Sequence, residues 1–335
     1  MRVHVSTPNR VDLAGGTLDI WPLYAFLGGG YTVNAAIEMR SEVTVTTRDD
    51  GAFDLFADDL QQGETATSLE ELTPGGPMDL IVRALNVMRP LCGLDVRTRC
   101  TAPKGTGLGS SSSLLIAFLS ALLEIEGRTM DQVDLVDAAA NIEAQCISVP
   151  TGKQDYWAAV RGGVNAIWFG LNGTTVEPLV VDPAARHELS ERLTLVFTGE
   201  TRFSGTSNWN MIKAYIDDTG VTRGKLLVVR QSSERMRECL LRGDLAQFAT
   251  ALGEEWAARK QLAAGVTTPR IDALMDRAAG AGALASKVCG AGGGGCMISF
   301  CKPGARTAVE DALADGGATV LPFAIRDDGI RITHL

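Results

Sequence analysis

Residues 103–113 read P-K-G-T-G-L-G-S-S-S-S and lead without a break into the apolar run L-L-I-A-F-L-S-A-L-L at 114–123. The glycines at 105, 107 and 109 let a backbone turn approach a ligand without Cβ obstruction. The serines then open a helix whose first N–H groups have no internal partner. Such a turn suits an anionic group, phosphate above all. The commoner phosphate loop, G-x-x-x-x-G-K-[ST], is absent, because Lys104 precedes the glycines and Ser110 follows Gly109 directly. A tight strand-to-helix connection with Ser110 as N-cap satisfies the same letters, so the assignment needs support from elsewhere in the chain.

Three further segments supply it. Residues 7–19 read T-P-N-R-V-D-L-A-G-G-T-L-D, residues 152–155 G-K-Q-D, and residues 287–296 K-V-C-G-A-G-G-G-G-C. With the loop, which fits P-x-G-x-G-L-[GS]-S-S at every defined position, these segments resemble, in order, the motifs of the GHMP small-molecule kinases, named for galactokinase and the homoserine, mevalonate and phosphomevalonate kinases. Gly290, Gly292 and Gly295 also satisfy G-x-G-x-x-G. That dinucleotide fingerprint requires a helix opening at its end and an acidic residue about 20 positions on. The glycines run instead into C-M-I-S-F-C at 296–301, short, strand-like and stopped by Pro303. A glycine-rich hairpin between strands at 285–289 and 296–301 is therefore expected, with its backbone over the site.

Composition excludes several classes. A chain of 335 residues with 45% hydrophobic content can form two packed domains. A net charge of -9 argues against nucleic-acid or anionic-membrane partners. The N-terminus begins as a strand without the apolar core of a secretory signal, and the longest apolar run, 114–119, falls short of the roughly 20 residues that span a bilayer. A cytoplasmic protein is expected. Seven cysteines without C-x-x-C spacing and only three histidines speak against a zinc site or histidine catalysis, and the thiols, Cys289 and Cys296 included, read as reduced core residues.

Periodicity predicts strands at 3–6, 31–47, 95–102 and 193–198, and helices at 78–88, 110–124, 153–160, 224–241, 245–262, 269–279 and 305–313. Thr129 and Gln132 suggest a capping box for a helix ending near 146, Thr268 an N-cap before Pro269, and Asp328-Gly329 the turn of a hairpin over 323–332. Helices segregated beside mixed strands indicate an α+β fold. The helix after the glycine loop is apolar on nearly all sides and must be central.

The resemblance implies a GHMP kinase fold, with a ribosomal-protein-like N-terminal domain (1–190), a ferredoxin-like C-terminal domain (191–335) and the site between them. It implies ATP and Mg2+. Lys104, Gly105, Thr106, Gly107, Leu108, Gly109, Ser110, Ser111 and Ser112 would cradle the phosphates, and Ser111 and Glu143 would meet the metal. Glu143, in the apolar stretch A-A-A-N-I-E-A-Q-C-I, could otherwise be a solvated helix charge. Asp155 would be the general base, or else only a charge favouring the start of a helix. Arg10 would pair with Asp155 and keep it ionised, or else lie at the surface. Thr17, Asp19, Gly152, Gly292 and Gly293 would face the acceptor.

The form A-G-G-T-x-D is nearer the branch with heptose-7-phosphate kinase and fucokinase than galactokinase proper. The expected acceptor is therefore a sugar or sugar phosphate, phosphorylated at the anomeric carbon of a hexose or heptose. A non-sugar alcohol such as mevalonate, or a non-catalytic ligand-sensing member, is the alternative. The polar stretch T-R-F-S-G-T-S-N-W-N at 201–210 either closes on the acceptor or is a capped loop before a helix.

Overall fold

The structure, a computed structural model, describes residues 1–103, 105–180, 182–201, 204–218 and 221–335, with only the backbone of 204–207. Lys104, and Arg202 and Phe203 of the polar stretch, lie outside the described residues. In chain order the elements are β1 (Arg2–Ala14), α1 (Leu23–Phe26), β2 (Gly30–Arg48), β3 (Phe53–Ala57), β4 (Gln62–Ala66), α2 (Asp79–Met88), β5 (Gly93–Cys100), α3 (Ser110–Ile125), α4 (Gln132–Ile147), α5 (Gln154–Arg161), β6 (Val164–Gly170), β7 (Gly173–Leu179), α6 (Pro183–Arg192), β8 (Leu193–Phe197), α7 (Ser204–Ile216), α8 (Thr222–Arg242), α9 (Leu245–Arg259), α10 (Pro269–Ala281), β9 (Ala283–Val288), β10 (Cys296–Cys301), α11 (Arg306–Asp315), β11 (Thr319–Val320) and β12 (Arg331–His334).

Among the described residues two sheets form. The larger has eight strands in the order β12-β1-β2-β5-β3-β4, and β6 and β7 branch from β2. β2 makes this branch possible because it is long: its first half pairs with β6 from Gly30 to Ala35, and its second half with β5 from Ser41 to Arg48. The smaller sheet runs β11-β8-β10-β9, and its β9–β10 pair is the expected glycine-rich hairpin, in antiparallel register from Met297↔Val288.

Helix α3 is central, as its all-round apolarity predicts: residues 115–123 are all buried. It packs on β1 and β2 with α2, α4 and α5 around it. A second core joins the two sheets, bringing Val11 and Leu13 of β1 and Val33 of β2 together with Leu195, Phe248 and Ile298.

The structure corrects three local expectations. The N-cap of α4 is Asp131, whose carboxylate accepts from the N–H of Asp134 at 2.9 Å, not Thr129. An aspartate adjoining the first helical residue reaches an orphan N–H that Thr129, two residues earlier, does not. The residue flanking α3 is Gly109 in the left-handed conformation, and Ser110 is already helical. Residues 323–332 form no hairpin: Ile325 bridges to Ile37, and β12 pairs with β1, so the chain's end returns to the first sheet. Tertiary pairing with an available edge prevails there over the Asp328-Gly329 turn signal. The cap of α10 is as expected, Thr268 accepting from Ile271. No helix among the described residues is long and apolar enough to cross a membrane.

Candidate active site

The glycine loop is clamped from both sides. The N–H of Arg10 donates to the carbonyl of Leu108 at 3.1 Å, and that of Cys296 to the carbonyl of Thr106 at 2.7 Å. The Arg10 guanidinium holds the carbonyl of Gly107 at 2.6 Å. With carbonyls taken by β1 and by the hairpin, and with Ser110, Ser111 and Ser112 forming the first turn of α3, the segment offers unpaired helix-terminal N–H groups to an anion. Gly109 is required twice over: φ is +74°, and a Cβ there would lie 2.9 Å from the Asp155 carboxyl carbon. That figure also records how closely Asp155 faces the loop.

Arg10 is a mid-strand residue only 4% exposed, not a surface group. Its Nε donates to Asp155 Oδ1 at 2.7 Å and its Nη2 lies 2.5 Å from the same oxygen. Burial raises the Asp155 carboxyl to about 6, against the lowering charge of Arg10, while Asp19 and Glu143 push it further up. Near pH 7 the group is thus mainly ionised yet far more basic than an ordinary carboxylate.

Glu143 is buried in α4 and accepts three hydroxyls: Ser111 at 2.5 Å on Oε1, and Ser112 at 2.7 Å and Tyr156 at 2.5 Å on Oε2. It is not a solvated helix charge. Burial and the neighbouring carboxylate push the Tyr156 phenol well up, so it stays a donor. Among the described residues no group of three or more acidic, histidine or cysteine side chains could hold a metal ion by itself. One carboxylate with one serine hydroxyl beside a phosphate cradle is nonetheless the oxygen set that Mg2+ takes together with phosphates and water.

Arg10, Thr17, Asp19, Gly105, Thr106, Gly107, Leu108, Gly109, Ser110, Ser111, Ser112, Glu143, Gly152 and Asp155 all line one cavity of about 650 Å³. Asp19 is 2% exposed and accepts the Gln154 N–H at 3.0 Å, and burial raises its carboxyl above the ordinary value. Gly152 is dictated by this contact, since any Cβ would overlap the Asp19 carboxylate. Gly292 and Gly293 are placed elsewhere than expected. A Cβ on Gly292 would meet Val266, and the Gly293 N–H donates to the Val266 carbonyl at 2.7 Å, while Gly290 and Ala291 form the hairpin's share of the cavity wall. A run of glycines gives no indication of which one turns inward.

Sequence reading missed Gln154. Gln154 lines the cavity, 4% exposed, with Oε1 unpartnered. Its position beside Asp155 was the available signal. Asn208 and Thr201, from the polar stretch, also reach the wall. Cys289 is packed beneath the loop, its thiol pushed up to about 11 by burial, and is a core residue as expected.

Residues 78–163 match the family described as GHMP kinases N terminal domain, and residues 236–319 that described as GHMP kinases C terminal. The D-glycero-alpha-D-manno-heptose 7-phosphate kinase of Campylobacter jejuni is 28% identical, over 98% of each chain. An L-fucokinase/L-fucose-1-P guanylyltransferase of Bacteroides fragilis is 25% identical over 98% of this chain but only 38% of its own length. Among solved structures, a D-glycero-D-manno-heptose 1-phosphate kinase from Bacteroides thetaiotaomicron superposes with a TM-score of 0.81 at 28% identity, over 99% of both chains. The clamped glycine loop, the hairpin above it and the family matches on both sides of the cavity lead to one conclusion: the chain belongs to the GHMP kinase family.

Proposed function

We propose that this protein transfers the γ-phosphoryl group of ATP, with Mg2+, to a hydroxyl of a sugar or sugar phosphate, at the anomeric carbon of a hexose or heptose. The observation that carries this reading is the placement of two carboxylates, the half-buried Asp155 and the buried Asp19, in one cavity with the glycine-serine loop. The sugar relatives support it, and D-glycero-D-manno-heptose 7-phosphate is the first acceptor to try. Residues 1–190 then supply the nucleotide side and 191–335 the covering half. ATP and sugar phosphates are cytoplasmic compounds, which supports a cytoplasmic enzyme.

Oδ1 of Asp155 is engaged by Arg10, so Oδ2 is the oxygen left to take a proton. An acceptor hydroxyl placed between it and the loop would pass its proton to Oδ2 as its oxygen bonds to the γ-phosphorus. The bond from that phosphorus to the bridging oxygen breaks, and ADP leaves with the electron pair. The loop N–H groups and the α3 terminus stabilise the phosphate charge. Bound Mg2+ supplies further neutralisation, and Glu143 and Ser111 are the residues that would hold it. Asp19 and the free amide of Gln154 orient the acceptor hydroxyls.

A coupled ADP-release screen over sugars and sugar phosphates tests the reading, and release with mevalonate alone would reject it. On the acceptor that responds, Asp19→Asn should lower kcat/KM by about 1.5–3 kcal/mol, the contribution of a charged hydrogen bond, while KM for ATP holds. Equal effects on both substrates would make Asp19 a structural residue.

A further inference from the structure

Four fully buried charges lie behind the acceptor end of the cavity: Asp12 on β1, Glu255 and Arg259 on α9, and Lys287 on β9. Arg259 donates through Nε and Nη2 to Glu255 Oε1 at 2.8 and 2.5 Å, and lies 3.9 Å from Asp12. Lys287 Nζ lies 3.1 Å from Asp12 and 3.2 Å from Glu255. The charges sum to zero, yet Lys287 Nζ, both Asp12 oxygens and Glu255 Oε2 make no properly angled hydrogen bond. Burying two ion pairs with such geometry is costly, and apolar residues of similar volume are often as stabilising or more so. Core packing alone does not account for the arrangement.

What the quartet does hold is the turn before Asp19. Arg259 Nη2 donates to the carbonyl of Gly16 at 2.6 Å and Nη1 to Thr17 Oγ1 at 3.2 Å, and Glu255 Oε1 accepts the N–H of Gly15 at 3.3 Å. Thr17 has φ of +78°, a left-handed conformation that a β-branched residue adopts only under constraint. Strain of this kind persists only where the surroundings over-determine it. The turn closes with the N–H of Leu18 on the Gly15 carbonyl at 3.0 Å and that of Ile20 on the Thr17 carbonyl at 3.2 Å. Thr17 and Asp19 then reach the cavity wall.

We propose that the buried quartet holds residues 15–19 in their strained, acceptor-facing form, with Arg259 as a positioning residue for the acceptor and without contact to it. This rests on the acceptor reading of that end of the cavity, but the constraint itself can be measured without an acceptor. The double variant Glu255→Gln/Arg259→Met removes one charge of each sign, leaves Asp12 paired with Lys287, and keeps an oxygen for the Gly15 N–H.

The double variant should melt within a few degrees of wild type. Hydrogen exchange at the amides of Leu18 and Ile20 should speed up tenfold or more, with the α3 amides unchanged. With D-glycero-D-manno-heptose 7-phosphate as probe, KM for the sugar should rise about tenfold while KM for ATP stays within twofold. Arg259→Lys, which keeps the charge and loses the fork, should fall between; if the double variant does not fold, that single variant decides. Wild-type exchange at Leu18 and Ile20 would overturn the proposal whatever the acceptor is. Absence of turnover by the wild-type enzyme with any sugar or sugar phosphate would instead remove the proposed function and leave the exchange result standing.

Discussion

Asp155 is set by opposing influences, of which burial prevails. Burial raises its carboxyl to about 6, and Arg10 restrains that rise through its two contacts with Oδ1. If the ionised form is the base, kcat/KM should fall tenfold per pH unit below about 6, about two units above where a carboxyl at the ordinary 3.8 would give that limb. Because Arg10 lowers the value, Arg10→Met should move the limb upward and reduce activity at pH 7. Asp155→Asn should cost roughly 100-fold above pH 6, where the wild-type carboxylate is ionised, and progressively less below it. A pH profile flat down to pH 5 would show that proton removal does not limit the reaction. At this scale the motif letters singled out Arg10, Asp19 and Asp155, and the spacing to Asp155 singled out Glu143; the structure brings all four to one cavity. Asp12, Glu255, Arg259 and Lys287 were not legible as a group. Their contacts span more than 240 positions of the chain, and an isolated glutamate and arginine four apart on a helix look like an ordinary surface pair.

Between β5 and α3, nine residues carry the loop, and its shape depends on two elements far away in sequence. Its carbonyls are held by β1 on one side and by the start of β10 on the other. The glycines were legible as a close approach to a ligand. In the structure, Gly109 is also a close approach to Asp155, which no local pattern could convey. Ala at this position would bear a left-handed φ at roughly 1–2 kcal/mol and press on the carboxylate from 2.9 Å. A displacement of about 1 Å at reacting groups can cost on the order of 100-fold in rate. Gly109→Ala should therefore reduce kcat by at least tenfold with a loss of stability under about 2 kcal/mol, as read by steady-state kinetics and thermal melting. Unchanged kcat would mean that Asp155 has room to move without consequence. The hairpin at 285–301 was legible because a strand, a glycine run and a second strand are all local. The hairpin expected at 323–332 was not real, because the partner of β12 is the first strand of the chain.

Across the whole molecule, the two sheets share a core. Val11, Leu13 and Val33 from the first pack with Leu195, Phe248 and Ile298 around the second, and the chain's last strand crosses back to β1. The buried quartet draws β1, α9 and β9 together at the same junction. A boundary near residue 190 thus divides the chain in sequence more cleanly than in energy. Exposing either half alone would uncover apolar core and strand buried charges, each of which costs several kcal/mol when left unpaired. The two halves should accordingly unfold together. Calorimetry should show one transition with equal calorimetric and van't Hoff enthalpies, of roughly 0.7 kcal/mol per residue near 60 °C. Nucleotide at a hundredfold its Kd adds about 2.7 kcal/mol to the folded state and, since its cradle is clamped by strands of both sheets, should shift that transition as a unit. Two resolved transitions, with only the first moved by nucleotide, would show that residues 1–190 fold and bind independently and that the shared core contributes little to cooperativity.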